Sequence, residues 1–194
     1  MDISTITEAF SDVTIQSPTV GVMLAGLLAV ALVFLSAFAS GSEIAFFSLS
    51  PSDVAELEDG KNPSDRKIQM LREDSERTLA TILITNNFVN VMIVMLLSNI
   101  FVSIVKFGPK AYWLEFLIMT VFLTFLLLLF GEIMPKVYCR QNPLRFCRRC
   151  VDAILFARKI FWPIETILLK SGMLAEKVMK KENHVLSVDE LEQA

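Results

Sequence analysis

The sequence predicts an all-α membrane protein with three transmembrane helices, N-terminus outside and C-terminus inside, followed by juxtamembrane helices that lie in the interface. Three observations carry this prediction. Of the 194 residues, 54% are apolar and the mean hydropathy is +0.55, a balance that suits lipid as solvent better than water. The apolar residues gather into three runs, each long enough to cross about 30 Å of hydrocarbon at 1.5 Å per residue. Lys and Arg are distributed unevenly between the segments that join those runs, which fixes a topology.

Residues 1–19 mix Ser, Thr and acidic residues and read as an extracytoplasmic lead with no fold of its own. The first span runs from Val20 to about Phe47, too long and too late in the chain for a cleaved signal. Ser50-Pro51-Ser52-Asp53 is a helix start, and Asp59-Gly60-Lys61-Asn62-Pro63-Ser64-Asp65 is a turn cluster. The first loop is therefore expected to be a helix-turn-helix excursion. The second span covers Thr78 to Val105 and the third Tyr112 to Phe130. Before Val20 there is no Lys or Arg, whereas the first loop carries Lys61, Arg66, Lys67, Arg72 and Arg77. The short second loop has Lys106 and Lys110, and the segment after the third span carries Lys136, Arg140, Arg145, Arg148 and Arg149. The positive-inside rule then gives out, in, out, in.

From Pro143 to Lys181, apolar clusters such as Val151, Ile154, Leu155, Ile160, Phe161 and Trp162 are broken by Arg158, Lys159, Glu165 and Lys170. That pattern favours interfacial helices over a fourth crossing, with Pro163 as the bend between them. The unit formed by residues 20–181 gives way to a polar stretch, 182–194, that reads as a linker, in which Ser187-Val188-Asp189-Glu190 looks like the start of another helix. Cys139, Cys147 and Cys150 all fall on the cytoplasmic side of this topology, where thiols stay reduced, and are expected to be ordinary interfacial residues. Cys147 and Cys150 form a CxxC, but only His184 offers an imidazole, too little for a closed zinc site. The net charge of -3 gives no reason to expect nucleic acid as a partner.

Polar groups inside a span are costly, about 2.5–3.5 kcal/mol for a carboxylate at the centre, so each calls for a partner or a function. Ser36, Ser40 and Glu43 share one face of the first span through i, i+4 and i+7 spacing, with Gly41 and Ser42 beside them. Asn86 and Asn90 share a face of the second, with Asn87 between. The third ends in Gly131-Glu132-Ile133-Met134-Pro135-Lys136. All three sets fall in the cytoplasmic half of the predicted topology. Hydroxyls, amide carbonyls and a carboxylate at one depth make an all-oxygen set of the kind that Mg²⁺, Na⁺ and Ca²⁺ prefer. Gly41, and Gly131 with Pro135, are weak points where helical hydrogen bonding can lapse and present carbonyls to an ion. The competing reading is that small residues and Asn serve as packing glue, and that Glu132 at a span end pairs with Lys136 at i+4. No Ser-His pairing, HExxH or paired aspartates appear in the spans, so no enzyme is expected.

The stretches Leu35–Glu43, Asn86–Asn90 and Phe130–Lys136 resemble, in order and separation, the signature of the CNNM/CorC transporter family, and the likeness extends from the first span through the juxtamembrane helices. The resemblance implies the DUF21 transmembrane domain, a homodimer in the lipid bilayer, and a cytoplasmic CBS pair that binds ATP and is expected beyond residue 194. It implies Mg²⁺ transport, as Na⁺-coupled efflux by alternating access. Ser40, Asn90 and Glu132 match the family's ion-holding positions, with Ser36, Asn86, Asn87 and Gly41 next in line. A bacterial inner membrane is the implied location. Some relatives of this architecture are motility- or haemolysin-associated, so a membrane scaffold with the same fold is the alternative; the presence of Ser40, Asn90 and Glu132 together favours transport.

Overall fold

A computed structural model describes residues 13–108 and 111–192, with side chains described as far as residue 170. The first twelve residues of the lead and Lys110 lie outside the described residues. Helix α1 (Val20–Phe47) is the first span. It is followed by α2 (Pro51–Glu58) and α3 (Asp65–Glu73), then by the second span α4 (Ser75–Ile104). The third span is composite, made of α5 (Tyr112–Leu126), a π-helical segment (Leu127–Ile133) and α6 (Met134–Cys139). A long arm, α7 (Pro143–Glu192), completes the chain. The three spans are long and apolar enough to cross a membrane, and large side chains such as Leu27, Phe34, Met95, Phe116 and Phe125 stay exposed on their outer faces, where lipid is the matching solvent.

The excursion between the first two spans forms as its sequence dictates. Ser50 and Asp53 make a reciprocal capping box at the start of α2, with Pro51 in the first turn, so two backbone donors that the helix itself cannot pair are satisfied. Gly60 takes a positive φ of 62° between α2 and α3, a conformation that costs glycine nothing.

The most extensive helix pair is α1 with α4. Between apolar spans in lipid there is little hydrophobic drive, and close approach of backbones supplies the packing. Here α1 buries Ala29, Ser36, Ala39, Ser40, Gly41, Ser42 and Ala45, small side chains that permit that approach. Toward the loop end, an apolar core joins Ala45 and Phe46 of α1, Leu57 of α2, Ile68 and Leu71 of α3, and Cys147, Cys150, Val151 and Ile154 of α7. Ion pairs fasten the same elements. Arg148 holds the buried Asp65 through Nε to Oδ1 at 2.7 Å and Nη2 to Oδ2 at 3.1 Å, and reaches Glu56 at 2.9 Å. Lys67 meets Asp152 at 2.6 Å, and Arg158 pairs with Asp74.

Several expectations need correction. The lead is not wholly without fold, because Thr14–Ile15 pairs antiparallel with Val105–Lys106 and Gln16 N–H donates to the Ile104 carbonyl; the two ends of the adjacent spans lie close enough to complete each other's backbone hydrogen bonds. The third span does not stop at Phe130 but runs to Cys139, which places Glu132 inside it. The arm does not break at Pro163 or restart at Ser187, and its helix is continuous from Pro143 to Glu192. Pro163 lies on the exposed side, so the carbonyl it leaves unpaired can be solvated, while Ile154 before it and Glu165 after it are both buried and hold the two halves in place. The three cysteines are free and buried. Cys147 is part of the apolar core, and its thiol is pushed up by the neighbouring Cys150 and by burial.

Candidate cation site between the spans

Pro135 explains the shape of the third span at the site. It has no N–H for the Gly131 carbonyl, and its ring crowds that carbonyl, so the regular hydrogen-bond ladder is interrupted there. The backbone widens instead into the π-helical segment Leu127–Ile133, and Met134 N–H bonds back to the Leu129 carbonyl. Such widened turns free backbone carbonyls from the regular ladder. The lapse expected at Gly131 and Pro135 is therefore present, whereas α1 is unbroken through Gly41.

Ser36 is fully buried and stands at the centre of the polar set. Its hydroxyl lies 3.1 Å from Asn86 Oδ1 and 2.5 Å from Asn90 Oδ1, both on α4. Gly131 lies against the other side, where an added Cβ would come within 3.1 Å of Ser36 Oγ. One turn further along α1, the buried Ser40 donates to the main-chain carbonyl of Glu132 at 3.5 Å. A hydroxyl has one proton, and two amide oxygens compete for the proton of Ser36. One of those oxygens is left for another partner.

The Glu132 carboxylate is turned away from this group. Its Oε1 accepts from Lys136 Nζ at 3.2 Å, one turn along the same span, as its i+4 spacing allows. The same ammonium lies 3.2 Å from Glu43 Oε2 on α1. Lys136, Glu43 and Glu132 retain 27%, 25% and 42% of their side-chain exposure, so the triad is partly shielded and its members interact more strongly than open surface charges would.

The structure thus brings together Ser36, Asn86, Asn90, Ser40 and the backbone at Gly131 and Glu132. It does not bring in the Glu132 carboxylate, which is paired with Lys136, nor two further expected residues, Asn87 and Gly41. Asn87 is exposed and its amide donates to the Leu83 carbonyl at 2.9 Å, because a step of one residue turns it about 100° from the face of Asn86. Gly41 faces Cys139 and Phe146, with Sγ of Cys139 2.6 Å from where a Cβ would stand, so its position is one of close packing. Glu43 had no role assigned from sequence, although the i+7 spacing from Ser36 already placed it on the right face; the i+4 pairing of Lys136 with Glu132 was anticipated, but its second contact, with Glu43 across to α1, has no local signal.

A model of the family described as the cyclin M transmembrane N-terminal domain matches residues 27–194. The chain is 30% identical over 172 residues to the metal transporter cnnm-4 of Caenorhabditis elegans, covering 81% of this chain and 35% of that protein. It is 32% identical over 154 residues to a putative chloroplastic DUF21 domain-containing protein of Arabidopsis thaliana, covering 79% and 22%, and 30% identical over 161 residues to a UPF0053 protein of Haemophilus influenzae, covering 81% and 37%. The chain spans well under half the length of each of these relatives.

Proposed function

The chain belongs to the cyclin M transmembrane-domain family, and from that premise we propose that it transports a divalent cation, Mg²⁺, across the membrane and catalyses no covalent step. The observation that carries the reading is the buried Ser36 hydroxyl facing two amide oxygens with a single proton to share. A cation seated there satisfies all three oxygens at once. Mg²⁺ takes six oxygen ligands near 2.0–2.1 Å and sheds water reluctantly, so Ser36, Ser40, Asn86 and Asn90 would supply neutral ligands beside retained water. The π-helical segment adds carbonyls at the same level, and the Glu132 carboxylate, one turn from Lys136, supplies charge once it swings inward.

In this reading Na⁺ competes for the same oxygens and its gradient drives Mg²⁺ out of the cell. The N-terminus is outside, the C-terminus is cytoplasmic, the membrane is a bacterial inner membrane, and the spans rock against each other to expose the site to one side at a time. A second copy covers part of the apolar span surface in a homodimer. The basic residues support the orientation, since Lys61, Arg66, Lys67, Arg72 and Arg145 all belong to the loop end of the bundle, the cytoplasmic end by the positive-inside rule.

The test is a titration of MgCl₂ into detergent-purified wild type and Glu132→Ala, followed by thermal stability, with NaCl and CaCl₂ as controls. At ten times the dissociation constant, binding to the folded state alone adds about 1.4 kcal/mol. Wild type is expected to show that gain, Glu132→Ala to lose it, and Ser40→Ala to lose part of it. Equal responses from wild type and Glu132→Ala would leave Glu132 a structural role and make a membrane scaffold the better account.

A further inference from the structure

Lys136 is the one ammonium placed, among the described residues, between carboxylates of two different spans: Glu43 on α1 and Glu132 on the third span, each at 3.2 Å. This deepens the reading of the site as a cation site and rests on it. We propose that Lys136 is a tethered counter-ion that competes with the incoming metal for Glu132, and that Glu43 is the carboxylate on which Lys136 is retained when the metal takes Glu132 away.

A carboxylate in a span needs a positive partner, and before a metal arrives Glu132 must find one within the protein. The Lys136 ammonium fills that place from one turn away on the same span. Removing one partner of a partly shielded ion pair is unfavourable because the other is left less well compensated. With only Glu132 to hold it, Lys136 would therefore oppose metal entry at its full strength. Glu43 removes much of that penalty. The ammonium already touches both carboxylates, so it loses one contact and keeps the other, and Glu132 is freed to turn toward Ser40 and Ser36. That turn is short along the chain, because the Glu132 main-chain carbonyl is already the partner of Ser40.

Lysine also suits the role better than arginine. Its ammonium is a compact point charge on a flexible stem, able to slide between single oxygens, whereas a guanidinium would clasp a carboxylate through two bonds. The swap thus needs three residues with distinct parts: Glu132 exchanges partners, Lys136 vacates, and Glu43 retains it.

A double-mutant cycle read by MgCl₂ titration of the purified chain separates these parts. Lys136→Met removes the competitor and should bind Mg²⁺ roughly fivefold tighter than wild type, the scale of a partly exposed ion pair. Lys136→Arg keeps the charge and should bind no tighter than wild type, so a gain in the methionine variant alone is not an effect of disturbed packing. Glu43→Gln leaves Lys136 with Glu132 as its sole partner and should bind roughly fivefold weaker. The decisive variant is Glu43→Gln with Lys136→Met, in which retention is no longer needed and affinity should return to that of Lys136→Met. If the double variant stays as weak as Glu43→Gln, Glu43 is a direct ligand and the proposal is overturned. It is equally overturned if Lys136→Met gains nothing while wild type binds Mg²⁺ and Glu132→Ala does not, an outcome that leaves the cation site standing. Absence of Mg²⁺ binding in wild type and Lys136→Met alike removes the cation site and this proposal together.

Discussion

Introducing a methyl group at Gly41 sets packing against ion binding as the reason for a glycine at that position. An alanine Cβ there would lie 2.6 Å from Cys139 Sγ and 3.2 Å from Phe146 Cζ, where ordinary contacts between such atoms are about 3.5–4.0 Å. The nearer overlap, on the order of 1 Å, cannot be relieved by a long flexible chain, because Cys139 has a single side-chain torsion and is 3% exposed. Either α1 or α6 must move, and both belong to the same packed end. Overpacking of this kind costs about 1–3 kcal/mol. Gly41→Ala should therefore unfold at clearly lower temperature in detergent, followed by intrinsic fluorescence or a thiol-reactive dye that reports the buried cysteines. Cys139→Ala removes the offending sulfur at the expense of a small cavity, so Gly41→Ala with Cys139→Ala should be more stable than Gly41→Ala alone. Gly41 is turned about 100° from Ser40 around α1 and faces Cys139 and Phe146, so the double variant should keep the Mg²⁺ response of wild type. A Gly41→Ala protein as stable as wild type, or a double variant with no recovery, would refute the packing account.

The Arg148 guanidinium holds the Asp65 carboxyl below the usual carboxylate range. A depressed acid stabilises the fold above its unfolded value near 4 and loses that contribution as pH falls through the lower folded value. The stability difference between wild type and Asp65→Asn should thus be full at pH 7 and shrink below about pH 4, as read by thermal unfolding across that range; a difference that does not change with pH would show that the Asp65 charge is not what matters. Ser50→Ala removes the acceptor for Asp53 N–H at the start of α2 and should cost about 1 kcal/mol, with hydrogen exchange rising first in α2 and α3; unchanged exchange there would contradict the capping assignment.

The three spans, the helix-turn-helix excursion and its cap are local events, decided by apolar run length, by a Ser and an Asp three residues apart, and by a glycine where the chain turns, so the sequence by itself determined them. It also determined which polar residues can share a face, since Ser36 with Ser40, and Asn86 with Asn90, are one turn apart, and the same arithmetic sets Asn87 aside. The widening before Pro135, over Leu127–Ile133, is local chemistry as well. What the tertiary structure alone decided is how the helices are rotated and staggered against each other. That decides that Asn86 and Asn90 meet one hydroxyl, that Gly41 packs against a sulfur, that Pro163 leaves the arm unbroken, and that Glu43 and Glu132 share a single lysine. Periodicity along one helix carries no information about the height and angle of its neighbour. Those are set by the summed fit of many small side chains between α1, α4 and the third span, and it is there that a set of polar residues becomes a site.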